Sequence, residues 1–230
     1  MVFSDTTNDT GIVQAVYGYT NSNSTSYPIN DLTRNANFYY KRAVNLIQQS
    51  DYQWVWDDSN QTDLPIETTS LVNGQQDYGI GSDTRKIDRI QVLSEDGVSS
   101  VLQRLPYIEG SLDAVFAQDA LPKYYDLLGE SILLYPTPNY NKAAGLKIYP
   151  RRSASLFLYT DTTKEPGFDE QFHDYIALGA SYEYLVSKTD RENDTQRIQN
   201  MILSMEEDMK RFYSRRSGKQ ALSVRIDNSE

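Results

Sequence analysis

The region that most constrains the fold spans residues 161–216, because it holds the clearest periodic pattern in the sequence. Apolar side chains recur there at steps of three, four and seven residues, which places them on one stripe of an α-helix. The pattern predicts a turn followed by two long helices, the second of which begins after Thr189 and Asp190. The residues of its stripe are Ile198, Met201, Ile202, Met205, Met209 and Phe212.

The first helix of this pair is predicted at residues 169–187, directly after the turn at Pro166 and Gly167. Three small residues, Gly179, Ala180 and Ser181, lie in its middle. Glycine and serine lower helix propensity, so their presence predicts that another helix approaches closely at this point.

A third helix is predicted far upstream, at residues 31–49, with Asp31 as its N-cap. Its apolar positions also follow helical spacing, which predicts that it packs on the other two helices. They are Leu32, Ala36, Tyr39, Ala43, Leu46 and Ile47.

Short β-type runs separated by turns occupy most of the chain between the helices. Asn73-Gly74 is predicted to form a hairpin-type turn and Asp96-Gly97 a second turn. Strands this short, spaced by about ten residues, predict a small antiparallel sandwich or barrel. The predicted strands are 52–56, 66–71, 77–80, 87–93, 99–105, 122–128, 131–135, 146–149 and 156–159.

These patterns predict an α+β protein in which a bundle of three main helices is interrupted by an inserted antiparallel β sandwich or barrel. The predicted helical platform comprises residues 31–52 and 161–216, and the β domain comprises 53–160. Residues 217–230 are predicted to form a C-terminal tail.

Residues 1–30 are rich in Asn, Ser, Thr and Gly but carry three tyrosines. They are predicted to be an extended arm ordered on a neighbour, with a flexible lead as the alternative.

Charge and composition exclude several functional classes. The formal net charge of -10 and the pI of about 4.6 predict that the chain repels a nucleic-acid backbone. The absence of cysteine excludes disulfides, zinc-thiolate sites and thiol nucleophiles. No apolar run reaches the length of a signal sequence or a membrane span, so no contact with a membrane is expected.

Few residues are candidates for catalysis or metal binding. His173 is the single histidine, and its place on a helical pattern favours a structural or solvent-edge role. Asp57, Asp58, Asn60 and Asp63 resemble a calcium loop only faintly, because the central glycine and the terminal glutamate are missing. We therefore predict no catalytic residue, no cofactor and no metal, and a protein that is not an enzyme.

Two other functions stay open at this point. Trp54 and Trp56 could stack on sugars, which would make the β domain a carbohydrate- or receptor-binding module. Paired carboxylates in a cleft could make the chain a glycoside hydrolase, although no pair is marked in the sequence.

The end of the last helix is basic, with cations recurring from residue 210 to residue 219. They could complement the negative end of the helix dipole. Alternatively, they could dock on an acidic neighbour such as another copy of the chain. Contacts of that head-to-tail kind can close into rings.

Three stretches resemble the head-to-tail connector, or adaptor, proteins of tailed bacteriophages. They are TDLPIETTSLVNGQQDYGI at residues 62–80, the segment 125–138 around LLGESILLYP, and DTTKEPGF at 161–168 leading into FHDYIALGA at 172–180. The resemblance covers roughly residues 31–216 and depends on the order of these stretches.

This resemblance implies a virion protein at the head–tail interface, made in the host cytoplasm. It implies a homo-oligomeric ring of twelve copies under the portal, which extends the DNA channel and gives tail proteins a platform. DNA would pass through without sequence-specific binding, and terminal segments would hold neighbours or the portal. The predicted residues of the subunit or portal interface are Met205, Met209, Phe212, Arg211, Arg215, Arg216, Val224 and Ile226.

Overall fold

The computed structural model describes residues 1–50, 66–106, 116 and 118–216, without the side chains of residues 215 and 216. The described residues form two compact units. One is drawn from residues 1–54 and 154–230, and we call it the helical unit. The other is drawn from residues 55–153, and we call it the β unit.

Four α-helices build the described part of the helical unit: α1 (Ile12–Thr20), α2 (Ile29–Ser50), α3 (Asp174–Val186) and α4 (Glu192–Arg216). Helix α3 starts later than predicted because Glu170–Phe172 forms a separate turn of 3-10 helix. Asp169 caps that turn by accepting a hydrogen bond from the backbone N–H of Gln171 at 3.3 Å. Asp31 lies in the first turn of α2 rather than at its N-cap.

Helix α3 is the centre of this unit, since it contacts α1, α2 and α4. Every residue from Tyr175 to Ser181 is buried, as in a helix that is covered on all sides. A Cβ atom at Gly179 would overlap the ring of Tyr39 on α2. The predicted close approach at the small residues of this helix is therefore confirmed, and α2 is the helix that approaches.

The first thirty residues differ from the expected extended arm. They contain α1, and Phe3 is fully buried with its ring stacked on Phe157 at 4.5 Å between centroids. The N–H of Phe3 donates to the carbonyl of Lys164, and the N–H of Val13 donates to the carbonyl of Phe3. A few apolar side chains at suitable positions anchor a segment whose average composition is polar.

The β unit holds eight described strands in two sheets. The first sheet has the order β1-β8-β3-β4 and is antiparallel throughout. The second has the order β2-β7-β6-β5, in which β5 pairs with β6 in parallel and the other pairs are antiparallel. The strands are β1 (Glu67–Leu71), β2 (Asp77–Gly79), β3 (Thr84–Leu93), β4 (Ser99–Val101), β5 (Gln103–Arg104), β6 (Tyr124–Leu128), β7 (Ser131–Tyr135) and β8 (Lys142–Arg152).

Both sheets contribute to one hydrophobic core, as in a β-sandwich. Ile90 and Ile148 enter it from the first sheet, and Ile132 and Leu134 from the second. Neither sheet closes into a barrel among the described strands. Of the two architectures considered from the sequence, the barrel is therefore not the one observed.

Two predictions about the β region are wrong in detail. The turn at Asn73-Gly74 exists, with Gly74 at a φ of 76°, but it joins strands of different sheets and is not a hairpin. Residues 156–159 do not form a strand, because the side chain of Asn37 hydrogen-bonds both the N–H and the carbonyl of Phe157. The predicted strand at 52–56 lies outside the described residues.

Candidate functional site

The apolar stripe of α4 is divided between two faces. Ile198, Ile202 and Met209 are buried in the helical unit, whereas Met201 is 40% exposed and Met205 is partly exposed. The outward methionines are apolar side chains that no described part of this chain fully covers.

A groove of about 860 Å³ lies along the outward face of α4. The 3-10 helix forms its other side through Gln171 and Phe172. Three predicted interface residues, Met205, Arg211 and Phe212, come together in it. The remaining lining residues are Met201, Ser204 and Asp208.

Aromatic contacts hold the groove in shape. The ring of Phe172 meets that of Phe212 edge to face at 5.4 Å, and Phe212 meets Tyr213 at 5.1 Å. The hydroxyl of Tyr213 accepts a hydrogen bond from the N–H of Asp169 at 3.0 Å. Because Tyr213 is buried, this contact ties the 3-10 helix to α4 and fixes both sides of the groove.

The rim of the groove is charged only weakly. Arg211 and Asp208 form an ion pair at 3.3 Å one helical turn apart, with side chains 59% and 58% exposed. Water and salt screen such a pair, so it contributes at most about 1 kcal/mol. The groove is therefore a mainly apolar surface with a solvated polar edge.

The other predicted interface residues are not placed in the groove. Met209 is fully buried in the helical unit, because it follows Ile202 by two helical turns and shares its inward face. The side chains of Arg215 and Arg216, and the residues Val224 and Ile226, lie outside the described part of the chain.

Sequence reasoning missed a polar cluster behind the groove, in which Tyr175 and Glu206 are buried and Arg42 is exposed. The carboxylate of Glu206 accepts a hydrogen bond from the hydroxyl of Tyr175 at 2.7 Å and pairs with the guanidinium of Arg42 at 2.8 Å. Burial raises the pKa of Tyr175, and the neighbouring Glu206 carboxylate raises it further. The available signal was the position of Glu206 between Ile202 and Met209, on the inward face of α4.

His173 is buried, and both of its ring nitrogens have polar partners. Its Nε2 lies 2.8 Å from the carbonyl oxygen of Phe168, and its Nδ1 lies 2.9 Å from the amino group of Met1. Since a carbonyl only accepts, Nε2 carries the proton and Nδ1 accepts from the amino group. Burial lowers the pKa of His173, which favours this neutral form.

Some residues that were candidates for sugar stacking or calcium binding lie outside the described part of the chain. Trp54, Trp56 and the acidic residues Asp57, Asp58 and Asp63 lie outside the described residues. Within the described residues, no group of three or more His, Asp or Glu side chains is arranged to hold a metal ion. No helix in the same residues is long and apolar enough to cross a membrane.

Comparison with known proteins assigns the chain to a family. The family model described as SU10 adaptor protein matches residues 10–225, which is nearly the whole chain. No curated protein matches the sequence. The resemblance to phage connector proteins is confirmed by this match. The chain therefore belongs to the SU10 adaptor protein family of phage head–tail adaptors, and it is a structural adaptor component of a phage virion.

Proposed function

We propose that this adaptor forms a homo-oligomeric ring of twelve copies between the portal and the tail. Such a ring would extend the DNA channel and offer a platform to tail proteins at the head–tail interface. The chain would be made in the host cytoplasm and act as a structural protein, not as an enzyme. Membership of the adaptor family supports the role in joining virion parts.

The observation that carries this proposal is the apolar groove on α4. Met201, Met205 and Phe212 would lose contact with water if a partner covered the groove. Methionine suits such a surface because its flexible side chain adapts to a partner. We therefore assign Met205, Phe212 and Arg211 to a subunit or portal interface, together with Arg215, Arg216, Val224 and Ile226. Met209 is left out, because it is buried in the unit's own core.

The acidic balance of the chain supports the channel role. Phosphates bind proteins largely by releasing counterions from lysine and arginine contacts, and a channel lined that way would hold DNA. A ring of subunits with a formal charge of -10 each would instead let DNA slide past.

The test replaces Met201 by Asp and compares it with Leu203→Asp. Both side chains are exposed on α4, at 40% and 51%, but only Met201 lines the groove. Each variant is mixed with the portal protein of the same virus, and the masses of the complexes are measured. We expect the wild type and Leu203→Asp to form a ring on the portal, and Met201→Asp to remain free.

Two results would contradict the proposal. A wild-type chain that stays monomeric and never binds the portal would exclude the ring adaptor. Equal assembly of Met201→Asp and wild type would exclude the groove as an interface. Circular dichroism of each variant checks that the helices are retained.

A further inference from the structure

The helical unit also presents a convex apolar feature, at the turn of residues 158–161. Leu158 is 64% exposed and Tyr159 is 59% exposed, and they are adjacent in the chain. The N–H of Asp161 donates to the carbonyl of Leu158 at 3.0 Å, and the Asp161 carboxylate accepts from the N–H of Leu158 at 2.8 Å. These two bonds close the turn and direct its apolar side chains to solvent.

This turn is firmly anchored to the unit behind it. The side chain of Asn37 bonds both backbone groups of Phe157, at 2.8 and 2.9 Å. The Phe157 ring stacks on Phe3 on one side and on Tyr40 at 5.1 Å on the other. The ammonium of Lys164 donates to the carbonyl of Leu156 at 2.7 Å. A fixed turn that exposes two large apolar side chains is typical of an interaction surface.

We propose that the 158–161 turn of one copy inserts Leu158 and Tyr159 into the α4 groove of a second copy. This inference rests on the proposed ring, for which it names the subunit contact. In each chain the turn is exposed and so does not occupy its own groove. The two surfaces share no residue, so the contact is head-to-tail, and contacts of this kind close into rings when the rotation allows.

The two surfaces match in chemistry. The groove offers methionine and phenylalanine side chains, against which a tyrosine ring can bury about 150–250 Å². The carboxylate of Asp161 lies at the base of the turn, and Arg211 lies on the rim of the groove, where its exposed pair with Asp208 is weak. Inserting the turn would bring these opposite charges together, which orients the two copies. A second copy supplies both features at once, which favours it over other occupants.

The chain contains no cysteine, so the contact can be trapped at chosen positions. Leu158→Cys protein is mixed with Met205→Cys protein and treated with a short bismaleimide linker, in the presence and absence of portal protein. We expect the mixed dimer to form several-fold faster than the dimer from Val186→Cys and Met205→Cys. Val186 is a matched control, because it is an apolar residue of the same unit with 55% exposure.

Equal rates for the two mixtures would overturn the inference. The inference would also fail in a second experiment, on a chain that carries both Leu222→Cys and Met205→Cys. If the linker joined these two residues of one chain faster than it joined two chains, the C-terminal tail would occupy the groove. A ring that forms on the portal, and is lost in Met201→Asp but kept in Leu158→Asp, would leave the proposed function intact. In that case only the insertion of the turn would be wrong.

Discussion

Single residues behind the groove are expected to govern the stability of the helical unit. Glu206 is 7% exposed. Its carboxylate accepts a hydrogen bond from the hydroxyl of Tyr175 and forms an ion pair with the guanidinium of Arg42. Replacing it by Ala leaves the buried phenol of Tyr175 without its acceptor and removes the carboxylate next to Arg42, whose side chain is 46% exposed. We expect Glu206→Ala to lower the free energy of unfolding by about 1–3 kcal/mol in a urea titration, mainly because the buried hydroxyl of Tyr175 loses its acceptor.

The neighbouring residue provides the control for this prediction. Glu207 is exposed, and Glu207→Ala changes the net charge of the chain by the same amount. We expect it to alter the unfolding free energy by less than about 0.5 kcal/mol. Similar losses in both variants would mean that net charge, and not the polar cluster, causes the effect.

Asp5 shows how an exposed carboxylate can organise a loop. Its carboxylate accepts hydrogen bonds from the backbone N–H of Asn8, the hydroxyl of Thr10, the side chain of Asn8 and the N–H of Thr7. The bond from the N–H of Asn8 is the largest of the effects that lower the pKa of Asp5 to about 2. An NMR titration of this carboxyl group should therefore have its midpoint near pH 2.

The sign of the stability effect follows from this pKa. The folded value lies below the unfolded value of about 3.9, so Asp5 stabilises the folded chain above that pH. We expect its contribution to disappear as the pH falls from about 4 to about 2. The Asp5→Asn variant should lack this part of the pH dependence, and a midpoint near pH 4 in the wild type would contradict the prediction.

Helix packing depends on the glycine in the middle of α3. A methyl group at residue 179 would overlap the ring of Tyr39, which is itself buried. We expect Gly179→Ala to lower the free energy of unfolding by about 1–3 kcal/mol, although alanine has the higher helix propensity.

Gly18 is a matched control in α1, since nothing lies within 4 Å of a Cβ atom there. Gly18→Ala should stabilise the chain by about 0.5–1 kcal/mol, and both changes can be measured by denaturant titration.

The N-terminal segment is expected to contribute to the core like a regular element. Phe3 is fully buried, so Phe3→Ala removes a ring from a packed stack and should cost about 3–5 kcal/mol in unfolding free energy. Phe38→Ala is the control, because Phe38 is 57% exposed, and its loss should be within about 1 kcal/mol. An equally small loss of unfolding free energy for Phe3→Ala would contradict this prediction and would favour an arm that is not part of the core.

The sequence predicts best those elements that a local pattern of residues along the chain is enough to identify. The stripe of α4 and the turn glycine Gly97, which has a positive φ, mark boundaries that the structure shares. Helix α3 is less distinct, because a helix covered on all sides has no polar face. Helix α1 was missed because it is short and lies in a polar segment. Its stability comes from burial against distant residues, and a local pattern does not contain that information.

The same limit explains what could be predicted of the candidate site. Met205, Arg211 and Phe212 were found because they follow one another along α4. Phe172 and Gln171 were not, since they reach the groove from another part of the chain. Met209 was included among the predicted interface residues, although it is buried in the helical unit, because helical periodicity gives the stripe but not the boundary between its covered and uncovered sides.

For the whole molecule, net charge is expected to control contact with DNA. With a formal charge of -10, the chain should not bind double-stranded DNA at physiological salt. Fluorescence anisotropy of a labelled duplex, titrated with the purified chain, should stay flat up to high micromolar protein. Binding that weakens steeply as salt is added would show a basic surface strong enough to retain DNA, and would oppose the channel role.

The central position of α3 has a consequence for how the chain is made. The β unit is continuous in sequence, whereas α1 and α2 precede it and α3 and α4 follow it. During synthesis the β unit can fold as soon as it emerges, but α1 and α2 have no central helix to pack on until residues 174–186 have been added. The hydrogen bond from the Tyr27 hydroxyl to the carbonyl of Ala180, for example, cannot form until residue 180 has been added. The helical unit is thus completed only after residues 174–216 have been added, so its groove becomes available to other copies later than the β unit can fold.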